Sequence, residues 1–131
     1  MKCRDRENLE LFIQSITLSN RLMEPASAIY TLVAAKAAEI EAELISLNRW
    51  DDQPLPEEKF EDMGAFGSRT MAFEQWIQFI LLPRINQIIS EQGEFPEKSS
   101  VATYAIRNFD GDPEAERLCD LLCDLDQIFN K

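Results

Sequence analysis

Between residues 28 and 48 apolar side chains return every three or four positions, at Ile29, Leu32, Val33, Ile40, Leu44 and Leu47. That period belongs to an amphipathic helix, and the alanines and glutamates between them are good helix formers. The same period returns in residues 112–129, where Asp112-Pro113-Glu114 is a start signal and Leu118, Leu121, Leu122, Leu125, Ile128 and Phe129 line one face. Ser99 or Ser100 is placed to cap a shorter helix bearing Val101, Tyr104, Ala105 and Phe109, ended by Asp110-Gly111. Residues 70–89, TMAFEQWIQFILLPRINQII, form the most apolar stretch. Leu9, Phe12, Ile13 and Ile16 give residues 5–22 a helical spacing too, closed by a break around Pro25, with Ser27 able to cap the helix over 28–48.

Residues 49–69 hold Pro54, Pro56, Gly64 and Gly67 and predict a connection with one helical turn started by Pro56. A link of that length is ordered by its own side chains or serves a function. Trp50, Leu55, Phe60 and Phe66 are the candidates to pin it. No run alternates with period two, so the fold class is all-α: a single-domain bundle of four main helices with a proline-kinked central helix and an extra N-terminal helix as an option. Residues 1–22 form an extension or an overlong start, with Met23 as the alternative first residue, and 23–131 form the domain.

Two residues of the central stretch break the rules of a buried helix. Pro83 lacks an N–H and its ring presses on the preceding turn, so the helix should kink there and the Phe79 carbonyl should lose its partner. Arg84, counted at 100° per residue, falls on the line of Phe73, Ile77 and Ile80. On the first long helix, Lys36 and Glu43 lie inside the apolar sector in the same way. Charges in a core sector need partners, which predicts an Arg84–Glu43 pair that sets helix register; the rival is an Arg84 that snorkels to the rim. Trp76, Phe79 and Tyr104 are read as core residues or as a groove for a partner helix.

Composition narrows the chemistry. A chain of 131 residues, 45% hydrophobic and 28% charged, suits one soluble domain. Asp and Glu number 24 against 13 Lys and Arg, a net charge of −11 without a basic stripe, which argues against direct nucleic-acid binding. The absence of histidine removes Ser-His-Asp triads, Cys-His pairs and His-containing metal sites. No glycine-rich phosphate loop is present. Cys3, Cys119 and Cys123 give an odd count, read as thiols rather than a disulfide framework, and two cysteines four apart are not a metal site. Most carboxylates, Asp120, Asp124 and Asp126 among them, read as solvated faces. No catalytic residue, cofactor or metal ligand is assigned. No secretory leader or membrane span is legible, and the expected compartment is the cytoplasm.

The string T-M-x-x-x-Q-W-x-Q-x-x-x-x-P-R from Thr70 to Arg84, with IEAEL upstream and SSVATYA downstream, resembles the YqcC-like family of small bacterial helical proteins of unknown function. The resemblance spans about residues 29–129 and implies a helical domain, often encoded near a tRNA pseudouridine synthase, with no activity or site residue to carry over. The family pattern places a proline and an aspartate around the phenylalanine before the central helix, where this chain has Ala65 and Arg69, and an acid near Ile106. A surface shared through those acids is altered here. The expected role is therefore a non-catalytic, acidic protein-binding module, its partner suggested by the resemblance to be a tRNA pseudouridine synthase. The opposing class is a small-molecule binder or enzyme using Arg84 and nearby carboxylates in a pocket at the Pro83 kink.

Overall fold

The computed structural model describes residues 25–130. Expectations that concern residues 1–24, among them the N-terminal helix, the Met23 start and Cys3, lie outside the described residues. Helix α1 spans Pro25–Ser46, so Ser27 falls inside it rather than capping it. A central helix comes next in three pieces: α2 (Phe73–Trp76), a π-turn (Ile77–Leu81) and α3 (Leu82–Glu91). Then come α4 (Val101–Asn108) and α5 (Glu116–Phe129), the latter entered through a 3-10 turn at Pro113–Ala115. Among the described residues there is no strand, and no helix is long and apolar enough to cross a membrane.

The core is the meeting of the predicted stripes. Leu32, Val33, Ala37, Ile40 and Leu44 of α1 face Leu118, Leu121, Leu122, Leu125 and Ile128 of α5, all buried, with Val101, Ala102 and Ala105 of α4 closing the side. Cys119 and Cys123 are fully buried in the same layer. Two helices end alike. Asn48 (φ 58°) and Gln92 (φ 53°) take left-handed conformations, and the next residue's N–H returns five positions, Arg49 to the Leu44 carbonyl and Gly93 to that of Ile88, each at 2.9 Å. The Tyr30 hydroxyl then donates to the Gly93 carbonyl at 2.5 Å and ties the start of α1 to the end of α3.

The π-turn changes the reading of the central helix. Leu82 N–H bonds the Ile77 carbonyl, five residues back, so one extra residue is wound in just before Pro83. The buried apolar positions run Phe73, Ile77, Leu82 and Ile85, with Gln78 buried beside them. The π-turn lies immediately before Pro83, where the kink is expected. Everything after the turn is rotated by about 100° against a straight count. Ile85, not Arg84, enters the core, and Arg84 stands exposed.

Two of the carboxylates expected on solvated faces are buried instead. Asp124 accepts from Lys36 Nζ at 3.3 Å in an α1–α5 contact shielded from water, and Glu39 joins the same ammonium from one turn along. Asp126 reaches from α5 to the start of α4, accepting from the Ala102 N–H at 2.8 Å and from the Ser99 hydroxyl. Neither Ser99 nor Ser100 caps α4 with its own side chain. The Asn130 side chain completes the arrangement by taking the Ser99 N–H at 2.6 Å and donating to its carbonyl at 2.7 Å. The Ala102 N–H in the first turn of α4 is thus satisfied by a neighbouring helix rather than by a local side-chain cap.

Candidate functional site

The motif residues Thr70–Arg84 gather around the connection they close. Phe66 lies between Gly64 and Gly67 and holds a left-handed backbone (φ 55°), a conformation costly for an aromatic residue. What holds it there is its ring, stacked on Tyr104 at 4.6 Å and edge-on to Trp76 at 5.2 Å and to Phe73 at 6.2 Å. Gly67 continues the turn at φ 70°. A Cβ there would stand 2.6 Å from Met71 Cγ and 3.2 Å from Trp76, so the close approach itself demands glycine. Thr70 anchors the same loop by donating to the Lys59 carbonyl at 2.6 Å. Trp50 and Phe66 do pin the connection to the core, whereas Phe60 stays exposed over the predicted one-turn helix at Glu57–Phe60.

The two glutamines of the motif form a polar clasp beneath this cluster. Gln78 is buried, and its amide reads both backbone groups of Asp51, accepting from the N–H at 2.8 Å and donating to the carbonyl at 2.9 Å. Gln75 caps the central helix by accepting from the Ala72 N–H at 2.9 Å and donates to the Asp51 carboxylate at 3.0 Å. The two glutamines therefore close the connection onto α2 and the π-turn. Arg49 closes it from the other end, with a 2.7 Å bond to Asp112, a longer 3.9 Å approach to Glu74 and its guanidinium 5.6 Å from the Phe109 ring. The bond from Asp112 raises the Arg49 pKa further above its already high ordinary value.

The residues singled out from the sequence fall into this frame unevenly. Trp76 and Tyr104 do come together, but Phe66 fills the space between them, and all three are packed against the core. Phe79 is half-buried and has no ring contact with them among the described residues. Glu43 takes Arg117 as partner at 3.5 Å, and Arg84, turned outward by the π-turn, is not joined to it. The hollow beside Leu82, about 160 Å³ between α1 and α3, is lined by alanines, Glu41 and Asn86 and not by Arg84. Sequence reasoning missed the roles of Gln75, Gln78, Asp51 and Asn130. The signal for Gln78 was present: an amide between Ile77 and Phe79 in an apolar stretch must find partners for both of its ends.

An uncharacterized protein of Haemophilus influenzae (strain Rd) is 28% identical over 87 residues, covering 64% of this chain and 79% of the relative. No solved structure matches the chain. A family described as "DUF446: tRNA pseudouridine synthase C" matches residues 32–128, a span that takes in most of α1, the pinned connection, the glutamine clasp and nearly all of α5. The chain belongs to the DUF446 family.

Proposed function

We propose that the protein is a non-catalytic accessory module of the cytoplasm that binds a tRNA pseudouridine synthase, and that the YqcC-like resemblance and membership of DUF446 express one relationship. The observation that carries this reading is a mismatch between the family's description and the chain's charge. The description names a tRNA-modifying enzyme. An enzyme that holds tRNA neutralises phosphates with lysine and arginine, while this chain carries −11 and repels them. Association with such an enzyme reconciles the two, because an acidic surface suits a basic, RNA-binding partner. The pocket reading has less behind it, since the hollow near the Pro83 turn excludes Arg84 and offers Glu41 as its one carboxylate.

The test is direct mixing. The purified chain and the tRNA pseudouridine synthase of the same organism, run together on size-exclusion chromatography with light scattering, should form one stoichiometric complex that weakens as salt rises. Two separate peaks at tens of micromolar, with both proteins folded, would refute the proposal.

A further inference from the structure

The long connection is fastened to the helices near its two ends. At Asp51 the buried Gln78 amide holds both backbone groups, and at Phe66 the ring sits among Phe73, Trp76 and Tyr104. Between these points no residue from 52 to 65 is buried, and none joins the apolar cluster of the core. Among the described residues, the side-chain ties of this arch run from Asp62 to Arg69 and from the Lys59 carbonyl to the Thr70 hydroxyl. Both return to the closing limb of the connection itself and not to a helix. Asp52, Glu57, Glu58, Glu61 and Asp62, all exposed beside the single Lys59, keep the arch in water. A segment held at two points, with few buried apolar contacts, opens at less than the cost of unfolding the whole domain.

The two fastenings differ in kind. Asp51 is held through its backbone by a buried amide, with bonds of 2.8 and 2.9 Å. Phe66 is half-buried and held through its ring, against a backbone at φ 55° that an aromatic residue adopts only under constraint. Release of the ring therefore also releases strain. Gly64 (φ 76°) and Gly67 (φ 70°) stand on either side of it, and glycine passes between positive and negative φ without the Cβ clash that other residues meet. We propose that residues 52–71 are a strap that opens as one unit, with Asp51 as its fixed pivot, the two glycines as its hinge and the Phe66 ring as its latch. Opening lifts the ring off Trp76 and Tyr104 and breaks the turn bonds made by the N–H groups of residues 67–71. The closed protein covers these rings with an acidic arch, and the open one bares an aromatic face. The strap goes beyond the binding-module reading and stands independently of the synthase.

Residue-resolved hydrogen exchange of the full chain, followed in urea below the unfolding transition, reads the opening directly. In the wild type the amides of residues 67–71 should be protected on the order of a hundredfold less than those of Ile40 and Leu122 in the core, with one shared and weaker urea dependence. The Asp51 amide, bonded to Gln78, should stay protected beyond them. Phe66→Leu keeps an apolar side chain and the backbone strain but loses the stacked ring. It should lower protection at residues 67–71 by on the order of a further tenfold and leave Ile40 and Leu122 unchanged. Phe60→Leu, on the exposed part of the arch, should change neither. Amides of residues 67–71 that exchange only with the core, at the same urea dependence, would overturn the strap. An Asp51 amide that opens together with them would overturn the pivot. Unchanged protection at residues 67–71 in Phe66→Leu, or an equal loss at Ile40 and Leu122, would overturn the latch.

Discussion

Removing the buried ion pair between α1 and α5 should unfold much of the margin this domain has. Lys36 Nζ stands 3.3 Å from Asp124 Oδ2, and only 6% and 4% of the two side chains reach solvent. Lys36→Met takes the ammonium from a carboxylate at that depth, at a cost of about 3–5 kcal/mol, whereas Asp124→Leu leaves Lys36 with Glu39 and should cost less. Small domains hold about 5–15 kcal/mol in total, so Lys36→Met should leave the protein folded but marginal. The corresponding fall in Tm is about 10–20 °C for a chain of this size. The double variant replaces both charges by apolar side chains of similar reach and should recover most of the loss, because the pair repays its own desolvation only in part. The assay is urea unfolding monitored by tryptophan fluorescence, with Trp50 and Trp76 as reporters and equal m-values as the check that one transition is being compared. Single losses below about 1 kcal/mol that simply add in the double variant would refute the reasoning, since that is how a solvated pair behaves.

Other perturbations test the site and the turn. Gln78→Leu deletes both bonds to the Asp51 backbone and should cost about 1–3 kcal/mol, with faster hydrogen exchange confined to the connection. Gly67→Ala sets a Cβ 2.6 Å from Met71 at a positive φ and should cost at least as much as an ordinary glycine-to-alanine strain, about 1 kcal/mol or more by thermal melt. Asp126→Ala should cost about 0.5–2 kcal/mol and expose the Ala102 amide first, read by residue-resolved exchange. Arg84→Met should move the melting temperature little, because an outward-facing arginine contributes about 0–1 kcal/mol. Burial and the neighbouring carboxylates raise the Cys119 thiol above its ordinary pKa. Its contribution to stability is therefore whole below the unfolded-state value and is lost as pH climbs through the folded one. Alkaline urea titrations of wild type and Cys119→Ala should diverge in that direction.

The stripes of α1 and α5 were legible because every residue they needed lies within one uninterrupted helical period. The leucines of α5 all reached the core they predicted. Arg84 was misplaced by the same arithmetic, because a count at 100° per residue runs straight through Ile77–Leu81 and takes no account of the residue inserted there. Proline announced a disturbance but not its form: the widened turn is visible only in the bond from the Leu82 N–H to the Ile77 carbonyl. Asp124 and Asp126 were unreadable for another reason. Their partners, Lys36 and the start of α4, are far away in sequence, so nothing local distinguishes them from acids on a wet face. Glu43 sat in the same position, and the arginine beside it is Arg117 of α5 and not Arg84.

The cap that α5 places on α4 orders events on the ribosome. Ser99 and Ala102 emerge 24 to 31 residues ahead of the Asp126 and Asn130 groups that satisfy them. A nascent chain that has already made α4 must hold its first turn open until the last residues of α5 are clear of the exit tunnel, because contacts so distant in sequence form only once the loop between them can close. Synthesis halted just short of Asp126 would therefore yield a chain whose two glutamine-clasped elements are complete and whose α4 is still seeking its acceptor.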